Sequence, residues 1–354
     1  MNKPFDGKRL LITGGTGSLG KTLLRRLLGG AMGDPAKIII YSRDEAKQHY
    51  MRMEYLHRSA ATDEVIYRNF LSKLEFRIGD IRDIDSVATV LRDADIVFNA
   101  AAMKQVPTCE YYPYEAVKTN IEGAENIVLA ISRHNLNVET VIGISTDKAC
   151  KPVNVMGMTK AIQERIFIQG NMRCPKTRFV CVRYGNVLAS RGSVIPLFHD
   201  QIKNGGPVTV TTPDMTRFLL SLDDAVDTVF AAYNDGSPGD IYVPRAPSAL
   251  VLNVAKALIA DRNIRLDITG IRPGEKIHEI MVSDEEAHRA VLAGAWYAIK
   301  AMLPEIVDEP VIPVLNKEYS SGDEVLDLDG TIDLLKRHRL MLEDVATEVG
   351  ETLR

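Results

Sequence analysis

Apolar and polar positions in the first half of the chain follow a repeating order. A short apolar run is followed by a longer stretch in which apolar side chains return every three or four residues, and then the order repeats. The runs predict strands over Lys8–Thr13, Lys37–Tyr41, Leu74–Ile78, Ile96–Asn99, Thr140–Ser145 and Arg178–Tyr184. The stretches between them predict helices over Ser18–Leu28, Asp83–Leu91, Tyr114–Arg133 and Val155–Gln169. Strands alternating with helices predict an α/β fold, a doubly wound parallel sheet covered by helices on both faces. After Tyr184 the texture changes to Gly/Pro-rich loops, a short helix near Asp223–Tyr233, a strand at Ile241–Val243, and helices with a polar tail beyond Val251. The expected division is a dinucleotide-binding domain over 1–190, with a return segment near 222–245, and a smaller substrate-binding lobe over 191–354.

Length and composition agree with that plan. With 354 residues, 45% of them hydrophobic and 25% charged, the chain can bury a large core. A formal net charge of -4 gives no basic footprint for nucleic acid. The four cysteines show neither CxxC pairs nor metal-ligand spacing with histidine, so no metal is expected and reduced thiols in a cytosol are. No apolar run is long enough to span a bilayer, and the N-terminus runs straight into a strand. A cytoplasmic protein with no membrane partner is expected.

The segment "LLITGGTGSLGKTLLRRLL" sets Gly14, Gly17 and Gly20 between a buried strand and an amphipathic helix. Glycines there let the backbone approach a pyrophosphate, whose charge sits at the positive end of the helix. The plain alternative is a tight turn; the strand before and the helix after favour a Rossmann-type dinucleotide site. At the end of the second strand, Ser42, Arg43 and Lys47 suit the 2'-phosphate of NADP, while Asp44 keeps NAD open. Asp80 and Ile81 follow the third strand, where an adenine would lie, and Ala100, Ala101 and Ala102 follow the fourth.

Thr146, Asp147 and Lys148 end the fifth strand, and together offer a hydroxyl donor, a general acid and a general base. Lys160 lies one helical turn beyond Met156 on the same face, suited to a cofactor ribose. A lysine base near neutrality requires burial or a neighbouring cation to depress its ordinary value of about 10.4.

The segments "TGGTGSLG", "YSRDEAKQ", "GDIRD", "NAAAMKQVPTCEYYPYEAVKTN", "STDKACKPVNVMGMTK", "RYGNVLASRGSVIPLF", "TPDMTRF" and "RPGEK" resemble the nucleotide-sugar 4,6-dehydratases of the extended short-chain dehydrogenase/reductase superfamily. The nearest likeness is to those acting on UDP-N-acetylglucosamine in polysaccharide biosynthesis. It runs from about Lys8 to Lys276 and thins beyond. The resemblance implies a redox-neutral dehydration in which C4 is oxidised, C5 loses a proton, the C6 hydroxyl leaves as water and C6 is reduced. It implies Asp147 as the acid, Lys148 as the base at C5, and Thr146 at the C4 oxygen. Met156 falls where many relatives carry a tyrosine, so the base for the C4 hydroxyl stays open between a Thr146 relay and a second duty for Lys148. Further cofactor candidates are Thr16, Ser18, Leu19, Lys104, Asn120 and Tyr184. For a UDP-sugar, the candidates are Lys104, Asn186, Arg191, Ser193, Val194, Thr209, Arg217, Arg272 and Glu275, since arginines suit a diphosphate and a carboxylate suits a ribose. A homo-oligomer paired through the helices near Tyr114–Arg133 and Val155–Gln169 is expected.

Two other readings stay in view. An epimerase on the same scaffold would share both nucleotide sites but needs no acid at C6. A cofactor-binding sensor that lost catalysis with its tyrosine has no use for Thr146, Asp147, Lys148 and Lys160 together.

Overall fold

The structure is a computed structural model describing residues 3–57, 72–188, 193–307 and 310–344. In chain order the first half runs β1 (Arg9–Thr13), α1 (Ser18–Leu28), β2 (Lys37–Ser42), α2 (Glu45–His57), β3 (Leu74–Ile78), α3 (Ile84–Leu91) and β4 (Ile96–Asn99). It continues with α4 (Val106–Tyr111), α5 (Pro113–Ala116), a π-helical turn (Val117–Glu122), α6 (Gly123–His134), β5 (Thr140–Ile144), α7 (Val155–Arg173) and β6 (Arg178–Val182). The second half holds α8 (Val194–Lys203), β7 (Val208–Val210), β8 (Thr216–Phe218), α9 (Leu222–Asp235), β9 (Ile241–Pro244), β10 (Ser248–Leu250), α10 (Val251–Ile259) and β11 (Leu266–Ile268). It ends with β12 (Ile280–Val282), α11 (Asp284–Ala287), β13 (Ala290–Ala293), β14 (Trp296–Ile299), β15 (Tyr319–Ser320), β16 (Val325–Leu326) and α12 (Leu328–Arg337).

The main sheet has nine strands in the order β13-β14-β9-β6-β5-β4-β1-β2-β3. Strands β1 to β6 and β9 pair in parallel, and the β13–β14 hairpin closes one edge antiparallel to β9. The order reverses between β1 and β4, which opens the crevice where ligands bind in sheets of this kind.

Each central strand is apolar on both faces because helices cover both. Leu10 and Ile12 point into one layer with Leu23, Leu24 and Leu27 of α1, and Leu11 points into the other with Val87, Ile127 and Val128. A third apolar cluster, built on Phe198, Val254, Leu258 and Leu335, forms the core of the second lobe.

The single long helix expected over Tyr114–Arg133 is broken into α5, a π turn and α6. Pro113 at the start of α5 begins it, and the π register carries Asn120 inward, fully buried. Helix α2, the β13–β14 hairpin and the small strands β10, β11, β12, β15 and β16 lay outside the pattern reading. They are short or polar, and tertiary pairing makes them rather than local periodicity. The cysteines are all buried and unpaired, and among the described residues no helix is long and apolar enough to cross a membrane.

Candidate active site at the carboxyl edge of the sheet

The loop after β1 is shaped for a phosphate. Gly14 has φ +64, and a Cβ there would stand 2.7 Å from Ala101 Cα, so a side chain would collide with the loop after β4. Gly17 caps α1 without any side-chain hydrogen bond, leaving the first N–H groups of the helix bare beside Thr16, Ser18 and Leu19. Thr13 Oγ1 donates to Asn99 and accepts from the Ala101 N–H, which locks the Ala100–Ala102 loop against this turn. These features fit a dinucleotide pyrophosphate.

Around the ends of β2 and β3 the charges are already sorted. Asp44 accepts from the Lys47 N–H at 2.9 Å and pairs with the Lys47 amine at 2.7 Å, so it caps the first turn of α2. Arg82 grips Asp80 through three hydrogen bonds between 2.7 and 3.0 Å, and Arg43, mostly exposed, stands 3.8 Å from the same carboxylate. Ser42 Oγ accepts from Gln48. Ile81 is buried against α6 rather than presented to solvent. Asn120, expected at the cofactor, instead uses its amide within the protein: it bonds the Met103 N–H and C=O and Thr159 Oγ1. Its effect is to fix the loop that carries Lys104, whose amine is lowered by burial.

The chemical centre lies past β5. Thr146 caps the short turn Asp147–Ala149 and donates to Asp147 Oδ1 at 2.8 Å. Lys148 Nζ donates to the same Oδ1 at 3.1 Å and to Asn186 Oδ1 at 3.2 Å, and Glu279 Oε1 lies 3.2 Å from it. Asp147 is 1% exposed, whereas the Lys148 side chain keeps 21% and so retains contact with solvent. Burial alone would lower the Lys148 amine, but Asp147 and Glu279 outweigh it against Arg217, and the group stands above its ordinary value. The condition set for a base near neutrality is therefore not met here, because two carboxylates outweigh both burial and the one neighbouring cation, Arg217. Asp147 Oδ2 and Glu279 Oε2 are buried without a hydrogen-bond partner among the described residues. Gly157 in α7 rests against the Lys148 carbonyl, so closely that a Cβ would overlap it, which seats the helix on the Asp147–Ala149 turn.

Met156 is buried in an apolar cluster with Cys109 and Ala116, and a thioether carries no exchangeable proton. Lys160 is 5% exposed and donates to Ile144 O and, at 2.7 Å, to Gln163 Oε1. Burial pushes it down to about 8, partly offset by Cys181 and Glu164.

Of the candidate substrate residues, Asn186 touches Lys148 and Arg217 approaches it through Glu279. Arg217 is buried and donates to the Thr216 and Ile277 carbonyls, 3.9 Å from Glu279. The "RPGEK" loop is tied down over the turn, because Lys276 donates to Cys150 O and Asn154 donates to Gly274 O. That brings exposed Arg272 and half-buried Glu275 to the same side. Ser193 and Val194 begin α8, Thr209 on β7 is bonded to Gln201, and Tyr184 is half-buried at the end of β6. Arg191 lies outside the described residues.

Sequence reasoning passed over a second set. Arg183, 1% exposed, is clamped by Glu164 and Glu286 through four hydrogen bonds of 2.7–3.1 Å, and Glu164 also accepts from Ser145. The available signals were an arginine inside the apolar run "RFVCVRY" and a glutamate four residues beyond Lys160. Glu279 sits only three residues past Lys276 and was missed too. A cavity of about 520 Å³ opens beside this clamp, lined by Cys150, Arg165, Arg183, His288 and Arg289. It contains none of the candidate residues.

The chain belongs to the polysaccharide biosynthesis protein family, whose model matches residues 10–301. A UDP-glucose 4-epimerase from Rickettsia typhi is 46% identical to it over 300 residues, 83% of each chain. Among solved structures, Pen from Bacillus thuringiensis is 31% identical, with a TM-score of 0.84 over 96% of this chain and 100% of that one. The dTDP-glucose 4,6-dehydratase DesIV from Streptomyces venezuelae, solved with NAD and TYD, is 20% identical, with a TM-score of 0.62 over 76% of this chain and 86% of its own. It shares the Rossmann-type fold.

The buried Lys160 gives a stability test. The unfolded chain holds that proton up to about 10.5 and the folded chain releases it at about 8, so between these values the unfolded state binds more protons and stability rises with pH. The stability of the wild type minus that of Lys160→Met, followed by urea unfolding, is expected to climb by roughly 1.4 kcal/mol per pH unit across the window. A flat difference contradicts the buried, depressed amine.

Proposed function

We propose that the protein is an NADP-dependent nucleotide-sugar 4,6-dehydratase acting in the cytoplasm on UDP-N-acetylglucosamine. The observation that carries this reading is the Asp147–Lys148 pair, hydrogen-bonded to each other at the carboxyl edge of the sheet with Thr146 on the same carboxylate oxygen. An acid and a base side by side serve the removal of water across C5 and C6. NADP, when bound, supplies the oxidation at C4 and the reduction at C6. Asp44 is committed to the cap of α2 and to the Lys47 amine, which leaves exposed Arg43 to meet a 2'-phosphate and supports NADP over NAD.

The proton path starts from the ion pair in the structure. The C4 hydroxyl gives its proton to Thr146 Oγ1 as Thr146 passes its own to Asp147 Oδ1. Asp147 is then neutral, and Lys148 has lost one of the two anions that hold its proton. The amine releases that proton to solvent through its exposed fraction and takes the proton from C5, which the C4 ketone has acidified. Asp147 returns its proton to the C6 hydroxyl, which leaves as water. The ammonium hydrogens of Lys148 exchange with solvent through its exposed fraction, one of them is given to C5 once C6 is reduced, and solvent restores the ion pair. Every proton is accounted for without a tyrosine at position 156. Thr146 and Asp147 thus share the duty left open by Met156.

Arg217, Arg272, Arg191, Ser193 and Asn186 are proposed to hold the UDP group, with Glu275 on its ribose. The second reading is a UDP-sugar 4-epimerase, favoured by the name of the Rickettsia relative. An epimerase leaves Asp147 and Lys148 with no C5 proton and no C6 hydroxyl to serve. A homo-oligomer is proposed from the exposed Tyr111, Tyr112 and Tyr114 beside Met158, Ile162 and Met172 of α7.

Two measurements follow. Incubated with UDP-N-acetylglucosamine, the purified protein is expected to yield a sugar nucleotide lighter by one water in the mass spectrum, and Lys148→Ala to lose roughly 10²–10⁴-fold in rate while still binding NADP. Unchanged mass with altered C4 stereochemistry means the epimerase, and full activity in the variant removes Lys148 from the mechanism. Light scattering is expected to give a multiple of the chain mass, and Met158→Glu with Ile162→Glu to reduce it; a monomeric wild type contradicts the oligomer.

A further inference from the structure

We propose that Glu279 is a positioning residue, which holds the Lys148 amine from the second lobe and by its charge governs when that amine can serve as a base. The inference rests on the dehydratase reading for the purpose of the base, but its geometry stands apart from any reaction.

Glu279 directly precedes β12, across the site from the turn that carries Lys148. Its backbone is fixed on both sides by Ser321, which accepts from the Glu279 N–H at 2.9 Å and donates its own N–H to the Glu279 carbonyl at 2.8 Å. Ser321 Oγ is in turn 2.7 Å from Thr216 Oγ1, so the second lobe's small sheets clamp this residue. The side chain is 3% exposed. A carboxylate so far from water must be compensated by a cation or by hydrogen bonds. Lys148 Nζ at 3.2 Å is the nearer cation, and Arg217 Nε stands at 3.9 Å, its Nη1 already turned to backbone carbonyls.

The groups facing Lys148 come from several elements. Asp147 is on its own turn, Glu279 precedes β12, Arg217 is on β8, and neutral Asn186 follows β6. Asp147 must change charge during the proposed cycle, because it carries a proton from C4 to C6. Glu279 has no such duty in the proposed cycle, so it is the partner of Lys148 that the cycle leaves unchanged. Asp147 and Asn186 hold the amine from one side and Glu279 from the other, which keeps Nζ from swinging out when Asp147 is neutral. The second lobe therefore contributes to the base and does more than cover the nucleotide. An opposite charge at this distance raises an ammonium's titration point, and its removal lowers it.

The test follows Lys148 itself. Full-length protein is trace-labelled with acetic anhydride from about pH 7 to 11, a range spanning the amine's ordinary titration. Only the neutral amine reacts, and the extent at Lys148 is read by peptide mass spectrometry with half-buried Lys21, remote in sequence from Glu279, as reference. In Glu279→Gln, which keeps the shape and removes the charge, the Lys148 midpoint is expected to fall by about one pH unit or more while Lys21 is unchanged. Glu279→Asp, which keeps the charge on a shorter arm, is expected to fall between the two and carries the test if the glutamine variant does not fold. Coincident Lys148 midpoints in wild type and variant overturn the proposal. The labelling needs no turnover, so a failure here is distinct from a failure to dehydrate the sugar.

Discussion

The buried cluster of Arg183 between Glu164 and Glu286 is the constraint on which the arrangement depends. One guanidinium joins the end of β6, the middle of α7 and the second lobe, and it also donates to the Met281 carbonyl of β12. Breaking a fully buried pair of this kind costs roughly 3–5 kcal/mol, because the charges left behind have neither water nor partner. Such a cost makes the clamp close to an all-or-none feature of the folded state. Ser145, bonded to Glu164, is the residue directly before Thr146, and Glu279 lies two residues before the carbonyl that Arg183 holds. The clamp therefore ties the Asp147–Ala149 turn to the lobe that faces it.

Within that frame the chemistry reduces to one amine and two carboxylates. Lys148 is held in its charged form by Asp147 and Glu279, which for an isolated base would be a defect. Coupling changes this in the proposed cycle, because a proton arriving on Asp147 removes one of the two anions that hold the proton on Lys148. The event proposed to supply the acid would then also prepare the base. An apolar packing residue at position 156 is then tolerable, since the hydroxyl of Thr146 already touches the carboxylate that needs the proton.

Much of this was legible in the sequence. Apolar runs buried on both faces mark parallel strands, and β3 and β4 fall where the pattern places them. Gly14 and the Thr146–Lys148 triplet stood out because phosphate binding and proton transfer call for particular residue types at strand ends, and the structure sets them directly after β1 and after β5. What escaped depends on contacts distant in sequence. Arg183 and Glu286 are separated by 103 residues and Lys148 and Glu279 by more, and no local period relates them. Asn120 has a related lesson: a buried amide can satisfy itself within the protein, and only the folded π turn shows that it does. The charge state expected of Lys148 failed because burial was foreseen and the second carboxylate was not.

The central claim is that Lys148 and Asp147 move protons at C5 and C6 of a sugar. The most direct measurement is the reaction of UDP-N-acetylglucosamine in deuterated water, with the product examined by mass spectrometry and NMR. The account predicts a product short of one water that carries solvent deuterium at C5. A product of unchanged composition, inverted at C4 and free of carbon-bound deuterium, would contradict it.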